Sequence, residues 1–494
     1  MPDSPVFQQN SRHDSELAVT VCVRLPSGNP DADTGQEVRP WQAGKSPRYL
    51  SRDARAYYKF NRMKSFHPYV SHLEELLVSS AFLPRNRNRE QMVQAALDGQ
   101  PALELRKRVA LQRLRASGAF FTGSRMARRA IATAFPNTPR DVTVLDPACG
   151  VGDLLVAFVG RLTCSNDFDS TLSEWGMRTT AFDIQPEFVR AAKLRLALAA
   201  VNRHKEIGDF RFKDFQALFP GIREGSSLGN CAGYTGISHI LINPPFTAVE
   251  APSDCPWGTG KVNSAALFMD ACAINSDPGT QIIAILPDVL RSGSRYEKWR
   301  RLFSERVVLE KVHILGRFDP QTDVDVFLAL GRVRMKRSHK PSRAWALNAE
   351  RGQMRVGDKF DVAVGAVVPF RLTNRGRWCP FVQARNLPSW QAVTDIVQHR
   401  RFKGTTFRPP FVVVRRTSRP DDKHRAVATL VRSKRRIAVE NHLLVLTPKD
   451  RTIGTCERLL KLLQMASTSE ILNRRIRCRH LTVAALADLP WSRE

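Results

Sequence analysis

The sequence has little that would tie it to a membrane, a metal or an oxidising compartment. It contains no run of about eighteen apolar residues, so no membrane-spanning helix is expected. Its nine cysteines are scattered, with no Cys-x-x-Cys pair and no Cys/His cluster at ligand spacing, which argues against a disulfide framework and a structural zinc site. No metal ligand set is expected. The stretch MPDSPVFQQNSRHDSE is polar and lacks the apolar segment of a secretory signal, so a cytoplasmic protein is expected. Acidic residues are also scarce. Asp plus Glu number 47 against 76 Lys plus Arg, a formal charge of +29, and such a field attracts phosphate polymers. The apolar fraction, 43%, is ordinary, so most of the 494 residues can bury a core, and two or three domains are expected.

Residues 1–50 are rich in Pro, Gly, Asp and Ser and read as a mobile or irregular segment. Over 51–114 the pattern is helical, with apolar positions at spacings of three and four in SHLEELLVSSAFL and REQMVQAALDG. Strand-like runs then alternate with helical ones. VTVLD (142–146), RTTAFD (178–183), DFRFKD (209–214), HILIN (239–243), QIIAIL (281–286), LEKVHIL (309–315) and VDVFLALGRV (324–333) read as strands. Between them PEFVRAAKLRLALAAV and NSAALFMDACAI read as helices. That alternation predicts βαβ units and a mostly parallel sheet, with ligands beyond the carboxyl ends of its strands. The basic, Pro-containing stretch 336–345 marks a boundary. A second domain of short strands and basic loops follows it, with a helix around residues 456–466.

Each chemically suggestive motif falls at a strand end. In VLDPACGVGDLL (144–155) an apolar strand ends in Asp146, and a turn holding Gly150 and Gly152 leads into a helix. Glycines let a ligand approach the backbone, and the helix start supplies N–H groups for an anionic part. Leu155 stands where a dinucleotide fold needs a third glycine, which disfavours a dehydrogenase. Asp183 ends the next strand, where a carboxylate suits a ribose diol or caps the following helix. Asp214 ends the third predicted strand and is either an adenine acceptor or a turn Asp. ILINPPF (240–246) is the most specific signal. Its prolines stiffen the loop and remove two backbone donors. The Asn243 side-chain oxygen and the Pro244 carbonyl can both accept from an aromatic amine, freeing the nitrogen lone pair for attack. Phe246 offers a stacking face for an extruded base.

DPACGVGD, FDIQPEF, INPPF and the upstream SGAFFTG, in this order, resemble the gamma class of N6-adenine DNA methyltransferases of bacterial restriction–modification systems. The resemblance covers about residues 115–335. It implies an α/β fold with a Rossmann-like, S-adenosylmethionine-dependent methyltransferase sheet over residues 115–337. A helical N-terminal region (51–114) precedes that sheet, and a basic, mixed α/β, target-recognition-like domain (338–494) follows it. By position it implies Phe121, Thr122, Asp146, Ala148, Gly150, Asp183, Ile184, Asp214 and Asn243 as the S-adenosylmethionine site. Asn243, Pro244, Pro245 and Phe246 would be catalytic, with Phe318 or Phe327 flanking the base. AILPDVLRSG (284–293) also fits the family. Gly123, where the family usually has Pro, and an insertion over residues 163–177 depart from it.

The C-terminal half carries the charge. Between Arg400 and Arg436 stand thirteen Lys/Arg, opposed only by Asp421 and Asp422. Arg415, Arg416, Arg432, Lys434, Arg435 and Arg436 are the expected contacts to duplex DNA. The ending NRRIRCRHLTVAALADLPW is similar to the close of target-recognition domains. The expected function is methylation of adenine N6 in double-stranded DNA, within a restriction–modification or phage-defence system. The protein would work in the bacterial nucleoid, with a restriction endonuclease or other defence subunit among its partners. The alternatives are a methyltransferase for RNA bases or protein glutamine, and a non-catalytic DNA-binding subunit. DGQPALELRK (98–107) resembles a nuclease run, but Arg106 stands where a catalytic Lys is needed, and a helix accounts for it better.

Overall fold

In the computed structural model the described residues are 63–84, 86–204, 207, 219–229, 231–319, 322–339, 342–345, 353–369 and 375–491. The segment 1–50, the predicted strand 209–214 and Asp214 lie outside them. The described residues belong to one compact unit, Ser46–Glu494.

The helical pattern ahead of the motifs forms α1 (His67–Phe82), α2 (Arg87–Leu97), α3 (Gln100–Arg108) and α4 (Leu111–Ser117). The nuclease-like run is the helix α3: Glu104 bonds Lys107 and Arg108 one turn on, and Arg106 pairs with Asp319. Then come α5 (Ser124–Ala134), β1 (Val144–Asp146), α6 (Asp153–Val159), α7 (Phe168–Arg178), β2 (Thr179–Asp183), α8 (Pro186–Val201), β3 (Ile222–Glu224) and β4 (His239–Ile242). A hairpin, β5 (Ala248–Glu250) and β6 (Lys261–Asn263), precedes α9 (Ser264–Asn275) and β7 (Gln281–Pro287). The short α10 (Asp288–Ser292), α11 (Glu297–Arg306), β8 (Val307–Arg317) and β9 (Asp325–Val333) complete this part.

Seven strands form one sheet in the order β3-β2-β1-β4-β7-β9-β8. The first five run parallel, and β9 is antiparallel to both of its neighbours. This is the Rossmann-like, parallel-dominated α/β sheet expected of the chain. Strand side chains alternate between two apolar layers. Val144, Ala181, Leu241 and Ile283 face one; Leu145, Phe182, Ile240 and Ile282 face the other. Both faces are covered by helices, which is why these strands read as continuous apolar runs. Strand order reverses between β1 and β4, so their carboxyl ends diverge and leave a crevice.

The third sheet position differs in place from the sequence reading. The strand paired to β2 is Ile222–Glu224, three residues of which two are exposed, too short and too polar to carry a periodic signal.

After Trp345 the chain forms a second set of layers. These comprise α12 (Val356–Lys359), β10 (Phe360–Val364), β11 (Arg377–Val382), β12 (Ala392–Val393), β13 (His399–Phe402), β14 (Phe411–Arg415), β15 (Ala428–Val431), β16 (Ala438–Val439) and β17 (Leu443–Pro448). Helices α13 (Ile453–Gln464), α14 (Ala466–Arg475) and α15 (Val483–Ala487) pack on a five-stranded sheet, β10-β17-β14-β15-β12, over its own apolar core. A second, three-stranded sheet has the order β13-β11-β16. Arg477 joins the two parts. Its backbone N–H donates to Asp288 Oδ2 (2.8 Å), just past the carboxyl end of β7, and its Nε donates to Asp325 Oδ1 (2.5 Å), at the start of the neighbouring β9.

Candidate active site

At the carboxyl ends of β1, β2, β3 and β4 lies a pocket, where ligands bind in open parallel sheets. Its walls combine Phe120, Phe121 and Phe188 with Gly150, Asp183, Ile184, Ser226 and Asn243.

The turn after β1 is shaped by two carboxylates. Asp146, only 1% exposed, sits beneath it and accepts from Ala148 N–H (3.2 Å). Burial, with Asp183 and Asp153 nearby, pushes its carboxyl up to about 8. Asp146 therefore supports the turn, while Ala148 and Gly150 reach the pocket wall. Asp183 Oδ2 accepts from Gly150 N–H (3.0 Å) and Oδ1 from Gln185 N–H (2.9 Å). Burial raises its carboxyl to about 6, partly offset by those N–H donors. Gly150 has φ +51°, and the Phe121 ring lies 3.2 Å from where a Cβ would stand, so this turn accepts no side chain without strain.

A buried ion pair fixes the turn to the rest of the molecule. Arg195, on α8 and fully buried, donates to Asp153 Oδ1 (2.8 Å), the Val151 carbonyl (2.6 Å) and the Ala96 carbonyl (2.8 Å) at the end of α2. Asp153 Oδ2 accepts from Gly123 N–H (2.7 Å), which holds the SGAFFTG segment over the turn. Removing one partner of such a pair costs about 3–5 kcal/mol, because the other charge stays buried. Phe121 meets Phe66 (6.0 Å between ring centres) and Phe188 (5.0 Å), and Met63 N–H donates to Gln185 Oε1 (3.0 Å). These contacts bring the residues before α1 to the pocket.

Asn243 follows β4. Its Nδ2 donates to Thr122 Oγ1 (3.0 Å), whereas its Oδ1 is buried and accepts no hydrogen bond from the described residues. A buried acceptor left bare costs about 1–3 kcal/mol, and this one belongs to a residue of the pocket wall. The loop beyond is rigid. The Pro245 carbonyl accepts from Ser264 Oγ (2.5 Å), and the Phe246 carbonyl accepts from Asn263 Nδ2 (3.2 Å). Asn263 also caps α9, and its own N–H donates to the Tyr296 hydroxyl (2.8 Å). Pro244 is buried. The Phe246 ring meets Phe318 edge-on at 5.5 Å; Phe327 instead lies fully buried in the core against Trp345.

The pocket thus gathers Phe121, Ala148, Gly150, Asp183, Ile184, Asn243 and Pro245. Thr122 is engaged with Asn243, and Asp146 stands behind the turn. Gln185 and Phe188, which lie inside FDIQPEF but were given no role, also line it, as do Ser226 and Ser227, which no motif covers. Nearness to the ends of β2 and β3 is the signal that could have found them.

The basic C-terminal residues divide by depth and by pairing. Lys434, Arg435 and Arg436 are exposed. Arg432 pairs with Glu457, Arg436 bonds Thr406, and Arg415 donates to the Leu387 carbonyl (3.1 Å). Arg416 is half-buried. Arg425, one of the thirteen, is fully buried and donates to the carbonyls of Ser418, Ile476 and Cys478. On the β11–β13 ribbon, Trp378 is exposed beside the cross-strand Arg401 guanidinium, 5.7 Å from the ring centre.

No family profile and no curated protein matches the sequence. Solved structures do. The type IIL restriction–modification enzyme MmeI in complex with DNA is similar at 10% identity over 84% of this chain and 66% of its own, TM-score 0.39. The type IIG restriction endonuclease BpuSI is similar at 12% identity over 81% and 60%, TM-score 0.37. The type I restriction enzyme EcoKI M protein is similar at 15% identity over 57% and 65%, TM-score 0.34. The chain spans 60–66% of the length of these three proteins.

Proposed function

We propose that the chain is an S-adenosylmethionine-dependent methyltransferase acting on the N6 amine of adenine in double-stranded DNA, with the target base turned out of the helix. The observation that carries this reading is the buried, unpartnered Asn243 Oδ1 on the wall of a pocket at the switch point of a parallel sheet.

The residues fit the cofactor. S-adenosylmethionine has a zwitterionic amino-acid end, a cationic sulfonium, a ribose diol and a purine. The pocket offers an acceptor carboxylate in Asp183, a glycine turn for close approach at Gly150, and apolar walls in Phe121, Ile184 and Phe188. When bound it supplies the electrophilic methyl group. Asn243 Oδ1 accepts from the target N–H2, and that bond pulls the nitrogen out of conjugation with the ring. The Pro244 carbonyl is the second acceptor. Phe246, braced by Phe318, gives the base a face to stack on. Burial keeps water away from these acceptors and strengthens each contact.

The basic C-terminal part, with Lys434, Arg435 and the Trp378–Arg401 ribbon at its surface, takes the phosphates. A host restriction–modification or defence system, with an endonuclease as partner, is the setting this reading supplies. The test is tritiated-methyl transfer to adenine-containing duplex DNA, followed by nucleoside analysis. Label on N6-methyladenine is the expected result; label on cytosine, or only on RNA or protein, overturns the assignment.

A further inference from the structure

Thr122 and Asn243 lie 121 positions apart in sequence and meet in one hydrogen bond, Nδ2 to Oγ1 at 3.0 Å. The resemblance gives Thr122 to the cofactor, yet its hydroxyl oxygen already accepts from the amide that faces the substrate side. A primary amide can turn over about its terminal bond, exchanging oxygen for nitrogen with little change in shape. Only one of the two orientations presents an acceptor to an incoming amine; the other sets donor against donor. With Nδ2 held on Thr122, Oδ1 is the end left bare.

We propose that Thr122 is a positioning residue for Asn243: by accepting from Nδ2, its hydroxyl selects the amide orientation in which Oδ1 receives the substrate amine. The inference rests on the reading of this pocket as an amine methylation site.

The segment carrying Thr122 is held on both sides. Gly123 N–H is bound by Asp153, whose other oxygen is bound by the buried Arg195. Gly118 packs against Pro245 and Thr247, which places the segment directly against the loop that follows Asn243. The β-branch of Thr122 limits its χ1 choices, which keeps Oγ1 aimed at the amide. A threonine hydroxyl can also donate, so it discriminates between the two ends of the amide only while its own proton is directed away from Asn243.

The test uses the full chain at saturating S-adenosylmethionine and saturating duplex. Thr122→Val keeps the shape and removes the acceptor; turnover falls about tenfold, the scale of one net hydrogen bond. Thr122→Ser recovers most of that loss. In an Asn243→Ala background, Thr122→Val causes no further fall, because the amide it would orient is gone. Thermal midpoints check that each variant folds. Wild-type turnover in Thr122→Val overturns the positioning role. So does an equal fold loss in both backgrounds, which places Thr122 on the cofactor or the fold instead. A wild-type chain that methylates no amine overturns the functional reading and this inference together.

Discussion

Gly118 lies directly against Pro245: a Cβ on the glycine would stand 2.8 Å from Pro245 Cβ and 2.9 Å from Thr247 Cγ2. Its φ is +66°, in the left-handed region. Backbone and contact therefore both demand glycine, and the contact is where the SGAFFTG segment braces the loop after β4. Gly118→Ala is expected to cost about 1–2 kcal/mol from the left-handed backbone alone. It is also expected to lower turnover by pushing the loop off Asn243. Denaturant midpoints and single-turnover rates check this; a destabilised variant with wild-type turnover would separate the contact from the chemistry.

In the proposed mechanism Asn243→Ala removes one of two acceptors for the target amine. Losing such a preorganised contact costs about a hundred- to a thousandfold in turnover. S-adenosylmethionine affinity is expected to hold, because Asp183, Gly150 and the phenylalanines that line the pocket are untouched. Calorimetry reads the affinity and tritium transfer the rate. Near-normal turnover would remove Asn243 from the mechanism.

The strands that build the crevice were legible because they are apolar on both faces: His239–Ile242 and Gln281–Pro287 read as continuous runs, and the motifs follow at their tips. The edge strand Ile222–Glu224 was not legible, since two of its three residues face solvent. Nor was the role of Arg195. In sequence it is one more basic residue of a helix, yet it is fully buried and joins α2, the turn after β1 and Asp153. Arg425 shows the converse error. It counted toward a basic DNA face, whereas it is buried and holds three backbone carbonyls. Composition reports charge and not depth, so neither arginine could be placed before the fold was known.

The buried carboxylates give the cofactor-free protein a pH signature. Asp183 is raised from 3.8 to about 6 and Asp146 from 3.8 to about 8, chiefly by burial. Between the unfolded and folded values the native state binds more protons than the unfolded one, so stability falls as pH rises. The fall begins near 4 and continues to about 8, above which these two groups contribute no further slope. Asp146→Asn cannot ionise, and its Oδ1 can still accept from Ala148 N–H. Its thermal midpoint is expected to fall less than wild type between pH 6 and 8. Scanning calorimetry without cofactor gives the comparison; parallel curves over that window would show that Asp146 ionises freely in the fold.

Pairing separates the basic residues expected to meet DNA. Each phosphate neutralised contributes about 0.9 to the slope of log K against log salt. Lys434 and Arg435 are exposed, so replacing both with Ala is expected to reduce that slope by about 1.8. Arg432 and Arg436 are committed to Glu457 and Thr406. Those internal bonds compete with phosphate for the guanidinium donors, so the matched pair Arg432→Ala and Arg436→Ala is expected to change the slope less. Fluorescence anisotropy with labelled duplex across a salt series measures both. Equal changes from the two pairs would show that internal bonds do not hold these arginines back. An unchanged slope in the Lys434→Ala, Arg435→Ala protein would move the DNA track to another face, and the Trp378–Arg401 ribbon is the next one to mutate.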